Sequence, residues 1–284
     1  MKKLLAYLYL VRPHNCAIAA VSVWVGQFLT PKMADSRPDI FAMLAAFLVC
    51  GFGNVLNDIL DINADRINHP QRPLPSGKVS LRGGRILAGI ILSLILCDMF
   101  WLTASGSMIC LVATMLLISY NYRLKRVAYI GNLIIAVLGG LTFVLGGARS
   151  GWSSVFALPG PLIPTVFAVL MHFGREIIKD IQDITGDRNS GSRTAPIQFG
   201  MSISLLSASI IYLLLGVVTM AAYMIGWFTT LFFYINLFCI YLPVLLQFLW
   251  LGSHPTSDRC RTVSFLLRLE MLIGLAALIL GKGY

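Results

Sequence analysis

Two short acidic segments carry most of the side chains in this sequence that could do chemistry. They read DILDINADR over 58–66 and DIQDITGDR over 180–188, so they share the pattern D-I-x-D-I-x-x-D-R at a separation of 122 residues. Ordinary solvated loops do not duplicate a nine-residue pattern, and the repeat therefore indicates a binding element present twice. Seven of the 12 Asp and Glu residues belong to the two segments or lie one turn before them: Asp58, Asp61, Asp65, Glu176, Asp180, Asp183 and Asp187.

The spacing of these acids predicts how they are presented. Positions i, i+3 and i+7 fall on one helical face, and Asn57 shares the face of Asp61 and Asp65. Like charges this close repel, and each costs about 2.5–3.5 kcal/mol at membrane depth, so cations must accompany them. Oxygen ligands without His or Cys favour Mg²⁺, which commonly combines one or two carboxylates with water and substrate phosphates. The segments therefore predict a site for Mg²⁺ and a diphosphate.

Basic residues surround the acids, and a metal-diphosphate site needs donors that neutralise the leaving group. We expect Arg66, Arg72, Lys125 and Lys179 to contact phosphate. The Pro-rich stretch 68–77, which begins at Asn68, is expected to cover the site as a lid. Other basic residues nearby serve as topology signals.

The composition places this site in a membrane protein. Hydrophobic residues make up 57% of the 284 residues, charged residues only 12%, and the mean hydropathy is +0.81. Too few polar residues remain to cover a soluble core of this size. The net charge of +10 does not indicate nucleic acid, because basic residues collect in cytoplasmic loops of membrane proteins. The six cysteines have no ligand spacing, which argues against redox or zinc chemistry.

Hydropathy predicts an all-α protein with nine transmembrane helices. With the N-terminus on one side, that side holds 18 of the 22 Lys and Arg residues, including those of both acidic segments. This asymmetry predicts a multi-pass protein of the cell membrane with its N-terminus and site facing the cytoplasm. We expect one domain over 1–284, built from two pseudo-repeated four-helix halves and a ninth helix. The spans are 14–30, 39–56, 85–103, 106–120, 129–148, 155–174, 202–225, 228–250 and 262–281.

Several stretches resemble the UbiA-type superfamily of intramembrane prenyltransferases. The pattern N-D-x-x-D-x-x-x-D stands at 57–65 and D-x-x-x-D at 183–187, while N-x-P-x-R-P-L-P-S-G fills 68–77. The resemblance extends from about residue 12 to about residue 200, and the later helices are similar only in hydropathy. It implies nine helices, as the span count does independently.

Within that superfamily, residues 12–16 and 175–183 resemble the digeranylgeranylglyceryl phosphate synthase branch. This resemblance implies Mg²⁺-dependent transfer of a geranylgeranyl group from geranylgeranyl diphosphate to the hydroxyl of geranylgeranylglyceryl phosphate, a step of ether-lipid synthesis. It implies Asp58 or Asp180 as the proton acceptor, Arg12 and Asn15 near the acceptor, and Tyr120 beside the allylic cation. The implied metal ligands are Asn57, Asp61, Asp65, Asp183 and Asp187.

Other readings of the sequence stay open at this stage. The acceptor in the same reaction could be an aromatic or quinone precursor. A CDP-alcohol phosphotransferase also uses paired Asp motifs, but Ile62 replaces the Gly of its first motif and the second motif is too distant. A divalent-cation transporter fits poorly with acids flanked by so many Arg and Pro residues. The expected partners are a prenyl diphosphate and a membrane lipid, with no nucleic acid and no obligate protein partner. Accepted chain length, oligomeric state and biological source do not follow from the sequence.

Overall fold

The chain folds into helices throughout the part that the computed structural model describes, residues 2–31, 37–189 and 191–284. The all-α prediction is confirmed for these residues. Single turns of tighter helix extend α5 and α7, and a π-helical turn joins α13 to α14. The helices are α1 Lys2–Val11, α2 Pro13–Phe28, α3 Ile40–Leu60, α4 Ile62–Asn68, α5 Leu81–Asp98, α6 Ala104–Tyr122, α7 Ile130–Gly147, α8 Trp152–Val155, α9 Leu162–Gln182, α10 Ile184–Asn189, α11 Ala195–Phe199, α12 Met201–Met224, α13 Thr230–Asn236, α14 Leu242–Ser253 and α15 Ser257–Leu280.

Most of the long helices are suited to a bilayer. Large apolar side chains such as Ile90, Leu213 and Leu249 are exposed on their outer faces, where only lipid could cover them. The chain is therefore an integral membrane protein. Within the described ranges, seven helical stretches are long and apolar enough to span: Ile40–Leu60, Leu81–Trp101, Ala104–Tyr122, Ile130–Ser150, Met201–Met224, Thr230–Ser253 and Ser257–Leu280.

Two of the nine predicted spans need separate comment. Helices α1 and α2 meet at 44° and together form an eighth candidate span. The bend lies at Arg12, whose φ of 55° is left-handed, and Pro13 then begins α2. Helix α9 overlaps the predicted span 155–174, but Arg175 and Glu176 are among several charges in its last turns, and it is not one of the candidates. The described residues thus support seven or eight spans, and the count of nine stays a prediction.

Helix α7 contacts its neighbours through glycines, as expected where helices approach closely in a membrane. Gly26 of α2 and Gly146 of α7 lie at a backbone-to-backbone crossing, where a Cβ added at Gly146 would stand 1.9 Å from the Val23 carbonyl oxygen. On another face of α7, Gly139 and Gly140 leave no room for a Cβ against the side chains of α9. Helix α7 is therefore fixed between α2 and α9, and α9 carries the second acidic motif.

This crossing gives a test of the packing. Gly146→Ala should lower the free energy of unfolding by about 1–3 kcal/mol, because the helices must separate to admit the methyl group. Gly89→Ala is the matched control, since a Cβ there meets nothing within 4 Å in the middle of α5. Alanine at Gly89 should leave stability unchanged or raise it slightly. Unfolding in detergent, followed by circular dichroism, measures both variants, and equal stability of the two would contradict the close crossing.

Candidate active site

The acidic repeat is also a repeat of local structure. Helix α3 ends at Leu60, Asp61 breaks the helix with φ −94° and ψ 9°, and α4 begins at once. Helix α9 ends at Gln182, Asp183 has φ −99° and ψ 10°, and α10 follows. The prediction that each motif lines one straight helical face is wrong at this point, because the chain turns at the second Asp of each motif. The turn brings α4 against α10. We call this end of the bundle, with 58–66 and 180–188, the motif end.

Asn68 holds the two motifs together. Its side-chain nitrogen donates to the Asp183 carbonyl oxygen at 3.2 Å, and its side-chain oxygen accepts from the Gly186 backbone N–H at 3.1 Å. A Cβ at Gly186 would lie 2.2 Å from the Asn68 nitrogen, so only glycine fits there. In the first motif the equivalent position is Ala64. The difference between Gly186 and Ala64 is the sequence signal for this contact. The prediction that 68–77 forms a lid did not include it.

Two arginines engage the buried acids of the first motif. Arg12, at the break between α1 and α2, pairs with Asp58. Arg72, from the loop after α4, binds both oxygens of Asp65 at 2.6 and 2.7 Å and lies 3.6 Å from Asp58. The predicted diphosphate ligand Arg72 and the predicted acceptor ligand Arg12 therefore lie in one ion-pair network with Asp58 and Asp65.

The remaining acidic metal-ligand candidates are Asp61 of the first motif and Asp183 and Asp187 of the second. Lys125 bonds Asp61, and His69 lies 3.4 Å from Asp183. Burial, together with the negative charges of Asp183 and Asp61, raises the pKa of the Asp187 carboxyl to about 7, although Lys179 and Lys125 oppose the shift. The carboxylates thus repel one another even with the chain's own cations present, which is the expected state of a site made for an added cation.

Asp180 has a different environment from Asp58. Its carboxylate accepts a hydrogen bond from Asn132 at 2.9 Å. The charges of Asp61, Asp180 and Asp187 all act on the hydroxyl of Tyr120, which places this ring among the acids of both motifs. The bond between Asn132 and Asp180 was not predicted from the sequence.

Four predicted site residues are placed less centrally. Lys179 bonds Glu176 at 2.7 Å, and Glu176 also accepts from Arg175 at 3.0 Å. Arg66 is exposed on α4 and forms none of the ion pairs found in the described part of the chain. Asn57 and Asn15 are half-buried.

The donor set fits a hard divalent cation that arrives with its own oxygen ligands. The candidates are carboxylates and one amide, which suit Mg²⁺ better than zinc or copper. Among the described residues, no three acids, histidines or cysteines already converge as a metal cage. The reason lies in the ion pairs: Lys125, Arg72 and His69 are bound to the carboxylates that a metal would use.

The chain is similar to known proteins over nearly its whole length. Residues 18–269 match the model of the UbiA prenyltransferase family. A digeranylgeranylglyceryl phosphate synthase of Methanothermobacter thermautotrophicus is 31% identical over 279 residues, covering 98% of this chain and 96% of that protein. A solved structure described as a digeranylgeranylglyceryl phosphate synthase in membranes has a TM-score of 0.74 at 32% identity, with 99% of both chains covered. A UbiA homologue from Archaeoglobus fulgidus, solved with GPP and Mg²⁺, has a TM-score of 0.66 at 18% identity, covering 96% of this chain and 99% of the other.

The bridge between the motifs can be tested without substrate. Asn68→Ala should lower the free energy of unfolding by about 1–3 kcal/mol, because it leaves the Gly186 N–H without its partner and removes one of the two donors to the Asp183 carbonyl. It should also speed hydrogen exchange in α10. Asn63→Ala, at an exposed position of the same short helix, is the control and should change neither quantity. If Asn68→Ala matches the control in both measurements, Asn68 does not hold the motifs together.

Proposed function

The chain belongs to the UbiA prenyltransferase family, and we propose that it transfers a geranylgeranyl group from geranylgeranyl diphosphate to the hydroxyl of geranylgeranylglyceryl phosphate. The product is the diether phosphate of membrane ether lipids. The observation that carries the proposal is the meeting of two acidic motifs, each ringed by basic side chains, at one end of an apolar bundle. The full-length similarity to digeranylgeranylglyceryl phosphate synthases supports this acceptor.

We propose that Mg²⁺ is the cofactor, held with the diphosphate by Asn57, Asp61, Asp65, Asp183 and Asp187. When bound, Mg²⁺ supplies positive charge that stabilises the departing diphosphate. The pKa of Asp187, raised by burial and then by the charges of Asp183 and Asp61, supports this assignment, because a bound cation would offset both effects. The homologue solved with GPP and Mg²⁺ supports the same pairing of metal and prenyl diphosphate.

The basic residues would exchange partners when substrate binds. Lys125 and Arg72 now bind Asp61 and Asp65. Once those carboxylates turn to the metal, both cations become available to the diphosphate oxygens, where negative charge grows as the bond to C1 of the prenyl group breaks. Lys179, bonded to Glu176, and the exposed Arg66 are further candidates for the same role.

The surroundings of the two candidate bases favour Asp180. Asp58 is held by two guanidinium groups, which compete with a substrate hydroxyl for its carboxylate oxygens, whereas Asp180 accepts a hydrogen bond from the Asn132 amide. The glycerol hydroxyl oxygen attacks C1 of the allylic cation, the new C–O bond forms, and the hydroxyl proton passes to Asp180. Tyr120 presents its ring to the cation.

The proposal also includes the arrangement of the chain in the membrane. We propose nine spans in one domain over 1–284, in two pseudo-repeated halves of four helices with a ninth helix added. The N-terminus and the motif end face the cytoplasm. The excess of Lys and Arg at the motif end supports this orientation. The matching backbone angles at Asp61 and Asp183 support the repeat.

The direct experiment incubates the purified protein in vesicles with Mg²⁺, labelled geranylgeranyl diphosphate and geranylgeranylglyceryl phosphate. The expected product is the diether phosphate, and EDTA should abolish its formation. A parallel panel of aromatic and quinone-precursor acceptors tests the alternative. Transfer to one of those, with none to the lipid acceptor, would refute the proposed acceptor. The assignment of the protein as a prenyltransferase would still stand.

In that assay, Asp61→Ala and Asp183→Ala should each lower kcat/KM by on the order of 10³-fold or more, because metal coordination is worth several kcal/mol in the transition state. Asp258→Ala is the control, since this acid is exposed at the start of α15 and pairs with Arg261. Unchanged thermal unfolding must accompany the losses. Full activity in either motif variant would remove that residue from the metal site.

A comparison of two variants tests which aspartate accepts the proton. Asp180→Asn should lower kcat by about 10²–10⁴-fold with little change in the KM of the donor, because the proton loses its acceptor. In Asp58→Asn the loss of kcat should be at least tenfold smaller than in Asp180→Asn, and the main effect should be a higher KM. The isosteric changes keep both side chains in place. The reverse order of the two effects on kcat would assign the base to Asp58.

A further inference from the structure

A second group of basic residues lies beside the acidic motifs, where α2, α9 and α15 come together. The Arg175 Nε on α9 donates to the Ser264 carbonyl oxygen on α15 at 3.1 Å. Arg268 lies one turn beyond Ser264, and the charges of Arg12 and Arg175 both act on it. His14, at the start of α2, feels the charges of Arg12 and Arg268. We call Arg268, His14 and Arg175 the basic cluster.

Within the described part of the chain, Arg268 is the arginine of this cluster that has no acid of its own. Glu176 is the acid that acts on Arg268, but Arg175 and Lys179 already bond it. Asp58 is taken by Arg12. Arg268 itself is half-buried and forms no ion pair or hydrogen bond within the described ranges. A half-buried cation in a membrane bundle costs free energy unless an anion accompanies it. Arg268 is therefore suited to bind an anionic group.

An apolar cavity begins directly beside the cluster. Ile18 of α2, Met171 of α9 and Met271 of α15 line it, and each lies one turn from a member of the cluster on the same helix. The cavity continues away from the motif end along walls that are mostly apolar: Phe143, Phe167, Leu215, Phe232, Leu275 and Leu278. A basic rim over an apolar cavity matches a molecule with an anionic head and a hydrocarbon chain.

We propose that the basic cluster binds the phosphate monoester of the lipid acceptor, while the acceptor's hydrocarbon chain enters the cavity. The proposal rests on the function proposed above and extends it to residues that the acidic motifs do not include. Arg72 and Lys125 lie on the motif acids and serve the donor diphosphate, whereas Arg268 lies on α15, outside both motifs. Arg12, held by Asp58, acts on Arg268 and is acted on by Arg72.

Arg268→Gln tests the assignment through the KM of each substrate. The KM for geranylgeranylglyceryl phosphate should rise about tenfold to a hundredfold, as expected for the loss of a charged hydrogen bond to phosphate. The KM for geranylgeranyl diphosphate should stay within about twofold, because the donor's ligands are intact. Arg268→Lys should restore part of the acceptor KM, since it keeps the charge but loses the planar fork. Arg261→Gln, an exposed arginine of the same helix paired with Asp258, is the control.

The phosphate itself is tested by removing it from the substrate. With geranylgeranylglycerol, which has the same chain and hydroxyl but no phosphate, wild type and Arg268→Gln should have equal KM values. A rise in the donor KM instead would assign Arg268 to the diphosphate and overturn the proposal. Equal KM values of wild type and variant for every substrate would also overturn it. If Arg268→Gln does not fold, Arg268→Lys and His14→Gln replace it in the same comparison.

A binding measurement separates this proposal from the proposed function. Geranylgeranylglyceryl phosphate should raise the Tm of the wild type in detergent, and Arg268→Gln should lose most of that shift. Glycerol phosphate and inorganic phosphate at the same concentration test whether a free anion is enough, and a shift with them equal to that of the lipid would overturn the role of the cavity. A lipid-dependent shift without any turnover would refute the proposed reaction and leave the phosphate site standing.

Discussion

The carboxylates of the two motifs repel one another at the end of an apolar bundle, and everything else at that end is arranged to offset this repulsion. The chain supplies its own cations: Arg12 and Arg72 for Asp58 and Asp65, and Lys125 for Asp61. Burial and the charges of Asp183 and Asp61 nevertheless raise the pKa of Asp187 to about 7. A metal with a diphosphate would complete the charge compensation, and the same basic side chains would then bind phosphate. Without substrate, the basic side chains of the chain balance the acids. With substrate, the metal would balance the acids and the basic side chains would balance the diphosphate.

Such an exchange demands that the motifs face each other at a fixed distance. The helix breaks at Asp61 and Asp183 turn α4 and α10 together, and Asn68 joins them through the Asp183 carbonyl and the Gly186 N–H. Behind them, the glycine crossings of α7 fix α2 on one of its faces and α9 on another. These contacts involve backbone atoms and allow little adjustment, so two carboxylate groups from distant parts of the chain can share one ligand.

The sequence predicted the parts of the site that depend on pattern. Hydropathy located the helices, and the repeat at 58–66 and 180–188 located the acids, because both signals are written in residue types at fixed intervals. It did not predict the turn at Asp61, since i, i+3 and i+7 spacing describes an unbroken helix and the break is made by packing of α4 on α10. The sequence also did not predict the partner of Glu270. The structure buries Glu270 against Gln247 of α14, more than twenty positions away, and no local spacing reports such a contact.

The two proposed anion sites would explain why the basic residues are distributed as they are. A donor diphosphate and an acceptor phosphate both carry negative charge, and they must approach within bonding distance of C1 while their charges stay apart. Arg72 and Lys125 are tied to the motif acids, whereas Arg175 and Arg268 belong to α9 and α15. Arg12 stands in its left-handed bend between α1 and α2 and is close to both groups. The charge of Arg72 acts on Arg12, and the charge of Arg12 acts on Arg268. A single basic patch would attract either anion to either place. Division between the motif acids and the basic cluster would give each substrate its own counter-charge, and would thereby limit the orientations in which the acceptor hydroxyl can approach the prenyl carbon.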